Sequence, residues 1–516
     1  MRPNAESAHG VEVGPPGEVG NPLRLRLVYA ALAYLLAACW LYAISFQFLH
    51  DPDTFWHVRT GQEIWQGRQF PVADTYSYTF AGKPWIAKEW LSQIVLFLVW
   101  EYGGWNGLVA LVVFVLSLSA ALQCFFLTAR LNCVFALVLT VGALFLSMQT
   151  YLARPHILTF PLVILWTEHL VRRAEEARAP SFPMLALVAL WANLHAGFTV
   201  GFIIAALSLL IFAEKTRASD RAGLAKWLLF LGGCVLASLL HPYGLRPMLA
   251  TVNVFGGNKW LELPGEWRPV DMIEEPLHQV VILAAVLAVL YFGIGLRVAK
   301  AVFVIVMVYF FQSHVRFAYL AYFLVPLACS YEIAVRKRAL SSRPAALRPD
   351  AIANSMAAHA GKIVMSFLAI YVAVGAAVFV KADARPSPAI APAAAVTFAR
   401  SSGLTGNVLN SGEFGGYLIF SGIKTFVDGR SDQLFGNSFL QSLLDASRVG
   451  GGCKLEDLLR RYDVQWLLLM PSDKKVPLLD ENSGWTRIYT DSSAVIFVGA
   501  GQGRGTCSRR PASGPQ

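Results

Sequence analysis

Two aspartates two positions apart, Asp51 and Asp53, follow directly on an apolar run in "HDPDTFWHVRTGQEIWQG" (residues 50–67), with His57 and Arg59 close behind. Similar residues recur where other apolar runs end: Glu89, Arg154 and His156 in "YLARPHILTF", Asn193 and His195 in "WANLHAGF", His241, and His314 and Arg316 in "SHVRFAYL". Carboxylates take up protons at a reacting centre, and arginine and histidine stabilise negative charge that builds there. Polar groups beside lipid are costly unless they face a cavity or one another, so a one-sided collection suggests a shared polar site. The alternative reading of each, taken singly, is an interfacial helix-end residue.

The elements that must carry these residues are set by composition. The chain has 516 residues, 56% of them hydrophobic and 15% charged, which is too apolar for an ordinary soluble protein and marks an integral membrane protein. Its net charge of +10 does not point to nucleic acid, because the basic residues sit in short runs between apolar segments. The first apolar run follows a polar Pro/Gly-rich tail and is long enough to span, so it reads as an anchored helix.

On the usual length requirement of roughly 20 apolar residues, about eleven spanning helices are expected. They cover 26–48, 105–129, 132–149, 156–172, 183–195, 198–214, 225–241, 279–296, 299–312, 317–335 and 363–381. With a cytoplasmic N-terminus, every inside connection is basic: Arg24 and Arg26; Arg130; Arg172, Arg173 and Arg178; Lys215, Arg217, Arg221 and Lys226; Arg297 and Lys300; then Arg336 to Arg348. The candidate polar residues then lie at the outer ends, with few counterparts inside except basic ones. An odd helix count puts the C-terminal region outside, which in a bacterium is the periplasm.

The loop 49–104 is too long and patterned for a connector. "DTFWHVRTGQEIWQG" predicts an amphipathic helix lying on the membrane surface and ending at Gly67 as its C-cap. "RQFPVADTYSYTFAGKPWIAKEW" is extended, and "EWLSQIVLFLVWEYGG" is a second short helix, with the next span starting after "GGWNG". This arrangement resembles the first outer loop of GT-C-type membrane glycosyltransferases. "DTFWHVR" is similar to the start of that loop in oligosaccharyltransferase catalytic subunits. "GKPWIAKEWLSQIVLFLVWEYGGWNGL" is similar to a passage of the protein mannosyltransferase and lipid A aminoarabinose transferase branches.

The resemblance implies a polyprenyl-phosphate-linked sugar donor and roles for the residues above. Asp53 would take the acceptor's proton or hold a metal beside it, with Asp51 the near alternate and Glu89 completing a carboxylate pair. Arg316, Arg154, His156 and His195 would meet the donor phosphate, Arg316 foremost. The structural alternative for Arg154 is to satisfy carbonyls freed by Pro155; for Asn193, His195 and Gly197 it is to pack a hairpin, and for "HPYG" at 241–244 it is a turn. Oligosaccharyltransferases add a second acidic motif for a divalent cation in the next outer loop, but "QTYLARPH" has no Asp or Glu, which favours the metal-independent branches. The only cofactor considered is a divalent metal, held at Asp53 if present, and no acceptor-binding residue is assigned.

The expected organisation is therefore a cytoplasmic tail (1–25), a GT-C-like α-helical polytopic domain (26–381), a Pro/Ala-rich linker (382–396), an extracytoplasmic α/β domain (397–500) and a disordered tail (501–516). In the α/β domain "GNVLNS", "KTFVDGR" and "VQWLLLM" predict strands, "NSFLQSLLDAS" and "LEDLLRRY" helices, and "WTRIYTDSSAVIFV" a hairpin. "DGRSD" (428–432) reads as an exposed salt-bridged turn or an acceptor contact. Of the seven cysteines only Cys453 and Cys507 lie in polar sequence, and they can form a disulfide if that region faces an oxidising compartment. The expected function is an inverting glycosyltransfer at the outer face of a bacterial inner membrane, to a lipid, glycan or protein acceptor. A transporter or flippase, or a non-catalytic scaffold that binds through its outer domain, is the alternative.

Overall fold

The computed structural model describes residues 21–255, 268–271, 273–341, 384–448, 452–482 and 484–499. The helical part comprises α1 (Leu23–Ala43), α2 (Asp53–Gly67), α3 (Trp90–Leu127), α4 (Cys133–Leu146), α5 (Phe160–Glu175), α6 (Leu185–Leu194), α7 (Phe198–Lys215), α8 (Arg221–Ser238), α9 (Arg246–Phe255), α10 (Pro276–Phe292), α11 (Val298–Ser313) and α12 (Val325–Ser341). Five stretches are long and apolar enough to cross a membrane: α1, α3, α7, α8 and Val315–Arg336. Shorter apolar helices cover Cys133–Leu146, Phe182–Leu194, Pro276–Phe292 and Val298–Ser313, so the protein is membrane-embedded. The expected span 156–172 is instead a short 3-10 turn followed by the 16-residue α5, which carries Glu168, His169, Arg172 and Arg173 and buries Trp166 and Leu170 in protein. The expected span 363–381 lies outside the described residues.

The loop 49–104 follows its sequence pattern closely. α3 contains both the short helix and the following span, joined at Gly104, whose φ of 58° and ψ of −153° break the helical path where "GGWNG" predicted a boundary. α2 starts with an acidic residue, Asp53, in its first turn, favourable at a helix N-terminus. It closes on Arg68, left-handed at φ 53°, so the cap falls one residue beyond the expected Gly67. Protein covers α2: it packs along α3 on one side and against a helix over Gly415–Phe420 on the other, burying Phe55, Trp56, His57 and Ile64.

The C-terminal domain carries a four-stranded sheet of order β1-β2-β4-β3, with β1 (Asn407–Asn410) parallel to β2 (Val464–Leu469) and the hairpin β3 (Trp485–Thr490)/β4 (Val495–Gly499) antiparallel. β2 is nearly all apolar because both its faces are covered. Trp466 and Leu468 face a core with Ala395, Val408 and Ile496, while Leu467 and Leu469 face a second core. That second core is shared with the loop: Trp56, Ile64, Tyr76 and Trp85 pack with Phe426, Phe435 and Phe439. "KTFVDGR", expected as a strand, forms only a bridge between Thr425 and Ser77, because its backbone is used to dock the domain on the loop. Thr79 Oγ1 donates to the Phe426 carbonyl (2.7 Å), and Tyr78 Oη to that of Val408 (3.1 Å). Cys453 is disulfide-bonded; Cys507 lies outside the described residues.

The bundle end opposite the loop is also rich in acids, contrary to the expectation that it holds little but bases. Arg130 forks onto Glu168 (2.9 Å to one oxygen, 2.5 Å to the other), and Lys300 lies 2.8 Å from Glu175 and 2.5 Å from Glu332. The charges of Arg130 and Lys300 are thus consumed in buried pairs, as burial requires.

Candidate functional site

A cavity of about 150 Å³ lies at the loop end of the bundle, roofed by the C-terminal domain. Asp53, Glu89, Arg154, His156, His195 and Arg316 all line it. Of the seven residues nominated from sequence, only Asp51 is not on its wall.

Arg154 precedes Pro155, which holds it extended at φ −121° and ψ 162°. Its guanidinium pairs with both Asp51 and Asp53. Asp51 Oδ1 also accepts the backbone N–H of Asp53 (3.0 Å), so Asp51 closes the start of α2. The two candidate carboxylates are therefore structurally unequal: one anchors the helix start, the other reaches the cavity.

Glu89 sits at the N-cap of α3. His195 Nε2 is 3.3 Å from its Oε1 and His57 Nε2 is 3.8 Å from its Oε2. Burial pushes the Glu89 carboxyl up to about 7, with Asp432 adding to the rise, while Lys88, Arg316 and the Ala196 N–H pull the other way. His57 is held well below its ordinary value by burial and by the neighbouring Lys88 and His156, so it is neutral. Gln93 Nε2 donates to His57 Nδ1 (3.2 Å), which leaves the ring proton on Nε2, toward Glu89. Burial works against charge on Lys88, but Asp432, with which it pairs, and Glu89 outweigh this and its value is raised.

The other nominated groups have plain structural partners. His156 Nε2 donates to the Thr150 carbonyl (2.8 Å), and Arg316 stands in a 3-10 turn over Val315–Phe317. Asn193 Oδ1 accepts from Trp90 Nε1 (2.7 Å), and Ser92 Oγ donates to the Leu194 carbonyl (2.6 Å); these bonds tie the start of α3 to the end of α6. His195 Nδ1 accepts the Gly197 N–H (3.0 Å), and His241 heads a turn with its Nε2 on the Lys88 carbonyl (3.1 Å).

Sequence reasoning missed the roof. The charges Asp428 and Arg430 of "DGRSD" are buried: Arg430 Nη1 is 2.7 Å from Asp74 and its Nη2 2.8 Å from Asp428, and its guanidinium lies over the rings of Tyr76 and Trp85. This arginine fixes the segment so that Gly429, Asp432 and Gln433 line the cavity. Trp56, Trp85, Lys88 and Gln93 are also wall residues that were not singled out. The adjacent charges of Lys88 and Glu89 at the head of an apolar helix were the available signal.

Among the described residues no three His, Cys, Asp or Glu side chains converge to hold a metal ion. Asp51 and Asp53 both pair with Arg154, which cancels half of the negative charge a cation would meet there.

Fold and site define a membrane-embedded helical protein whose C-terminal α/β domain roofs a polar cavity built from its first long loop. No family model and no curated protein matches the chain. The chain is similar to solved structures of ArnT from Cupriavidus metallidurans. The form bound to undecaprenyl phosphate matches at 12% identity and TM-score 0.48, over 91% of this chain and 98% of that one; the apo form matches at 14% and 0.44, over 90% and 97%. No residue role transfers at that level of likeness.

Proposed function

We propose that the chain is a membrane glycosyltransferase that moves a sugar from a polyprenyl-phosphate donor to an envelope lipid, glycan or protein at the outer face, with inversion. The observation that carries this reading is the cavity itself: the carboxylates Asp53, Glu89 and Asp432 and the cations Lys88, Arg154 and Arg316 meet at a bundle end, where a donor's apolar tail stays in lipid and its sugar reaches the protein. The loop's resemblance to GT-C enzymes supplies the donor class. The disulfide at Cys453 supports an oxidising outer compartment for the roof.

Glu89, raised to about 7, is the base that works at neutral pH. The acceptor O–H attacks the anomeric carbon, its proton passes to Glu89, and the bond from that carbon to the phosphate oxygen breaks with its electron pair. Arg316 and Lys88 stabilise the charge on the departing phosphate. Asp53, balanced by Arg154, accepts a hydrogen bond and orients the acceptor, and His195 and His57 hold Glu89 in place.

The test compares envelope glycans, lipid A and secreted proteins by mass in wild-type, deletion, Glu89→Gln and Asp53→Asn cells. A single sugar missing from the deletion and both variants is expected. Unchanged glycans in the deletion overturn the reading.

A further inference from the structure

We propose that Asp432 of the roof is a built-in competitor for the phosphate site at Lys88: its carboxylate holds the Lys88 ammonium while no donor is bound, yields it to the carrier's phosphate, and reclaims it to release the spent carrier. The inference rests on the transferase reading above.

The two residues come from opposite halves of the cavity, Asp432 from the roof and Lys88 from the turn just before α3, and both line it. Their side chains pair, yet they remain 21% and 15% exposed, so neither is sealed from an entering ligand. The neighbouring Arg430 pairs with Asp74 and Asp428 differ, with every side chain 0% exposed.

Docking of the roof does not depend on the Lys88 bond. Gln433 clasps the Ile86 backbone twice, its Oε1 accepting the N–H and its Nε2 donating to the carbonyl, each at 3.2 Å. The sealed Arg430 pairs and the shared apolar core act on the same segment. Beside these a partly exposed ion pair contributes little.

What the pair does is occupy a cation. Of the cavity's three cations, Arg154 is already held by Asp51 and Asp53. A carboxylate and a phosphate oxygen make the same kind of charge-assisted bond to an ammonium, so the two compete for Lys88. The carboxylate is always at hand, because Arg430 and Gln433 fix the chain on either side of it.

Ligand charge decides which step gains. The donor's phosphate is a diester with a single negative charge, whereas the carrier left after transfer is a monoester with roughly −1.5 to −2 at neutral pH. Cations that favour departure of the phosphate therefore hold the product harder than the donor, and product release is often the slow step. A carboxylate that reclaims Lys88 offsets this. The exchange breaks no covalent bond, and Lys88 changes only its anionic partner.

The test uses the full chain in lipid nanodiscs, with undecaprenyl phosphate, the monoester, as the probe. Asp432→Asn should bind it roughly two- to fivefold more tightly than wild type, the scale of one partly exposed ion pair. Asp432→Ser is the second variant and is read in the same way. Lys88→Met should bind more weakly, and adding Asp432→Asn to it should change nothing further, because the competition runs through that ammonium. A role confined to docking gives the opposite sign, weaker binding with a lower thermal midpoint. Where wild type binds the carrier, unchanged or weaker binding by the Asp432 variants overturns the competitor alone. So does unchanged binding by Lys88→Met, or equal tightening with and without Lys88. If both Asp432 variants lose the fold, the pair is a structural bond and the competitor is overturned. If wild type binds no undecaprenyl phosphate, competitor and transferase reading fall together.

Discussion

Gly429 of the roof stands against Asp53 so closely that a Cβ built on it would lie 1.8 Å from the Asp53 Oδ1. Gly416 seats in the same way on Pro52, its added Cβ 1.9 Å from that carbonyl oxygen. The C-terminal domain is thus pressed onto the start of α2 at two points, one of them the cavity carboxylate. Gly429→Ala should displace Asp53 or lift the segment, at an overpacking cost of about 1–3 kcal/mol, and reduce transfer at least tenfold. Gly436→Ala, where an added Cβ meets nothing within 4 Å, is the control and should be neutral. Product per unit of folded protein in cells expressing each variant measures both.

Arg430 should be the most sensitive single position of the docked domain. Its side chain and those of Asp74 and Asp428 are all 0% exposed, so removing the cation strands two buried carboxylates. Arg430→Met should cost about 3–5 kcal/mol, the usual penalty for breaking a buried pair from one side. Arg430→Lys should rescue only part of it, since an ammonium cannot reproduce the fork to Asp428. Faster limited proteolysis between the loop and the C-terminal domain, together with a lower thermal midpoint, reports the loss.

How legible these features were in sequence depends on their range. The bundle helices and both helices of the loop follow from apolar periodicity and from local signals such as "GGWNG", which act within a few residues. Arg430 and Asp74 are 356 positions apart and Arg154 and Asp53 are 101 apart, so neither pairing leaves a local trace. That is why "DGRSD" read as an exposed turn: its charges look solvated until the loop arrives to bury them. "KTFVDGR" had a strand's alternation, but its backbone partners lie in the loop and not in the sheet. Six of the seven nominated site residues nonetheless reached one cavity, because a polar residue beside an apolar run has few other places to go.

Transfer should rise with pH through a midpoint near 7 and depend on Glu89. Its carboxyl is raised to about 7 by burial, so below that value it is protonated and cannot accept the proton. Glu89→Gln should lower turnover by roughly 10²–10⁴-fold and remove this acid limb. The stability sign runs the other way: the folded state binds more protons than the unfolded one between about 4.5 and 7, so the contribution of Glu89 to stability is lost as pH rises through that window. Rate and thermal midpoint measured across pH 5–8 for wild type and variant separate the two effects.

Asp51 and Asp53 share one arginine, yet their amide variants should fail differently. Asp51 caps the start of α2 through its Oδ1 and does not line the cavity. Asp51→Asn keeps an oxygen able to accept the same N–H but removes the buried ion pair with Arg154, so it should lower the thermal midpoint and retain most turnover per folded protein. Asp53 faces the cavity, and Asp53→Asn should hold the fold, since Arg154 keeps its pair with Asp51, while turnover falls at least tenfold because an amide orients an acceptor hydroxyl poorly. Parallel measurement of thermal midpoint and product mass shift decides it. Equal losses of turnover in the two variants at matched stability would remove the distinction and return both aspartates to candidacy.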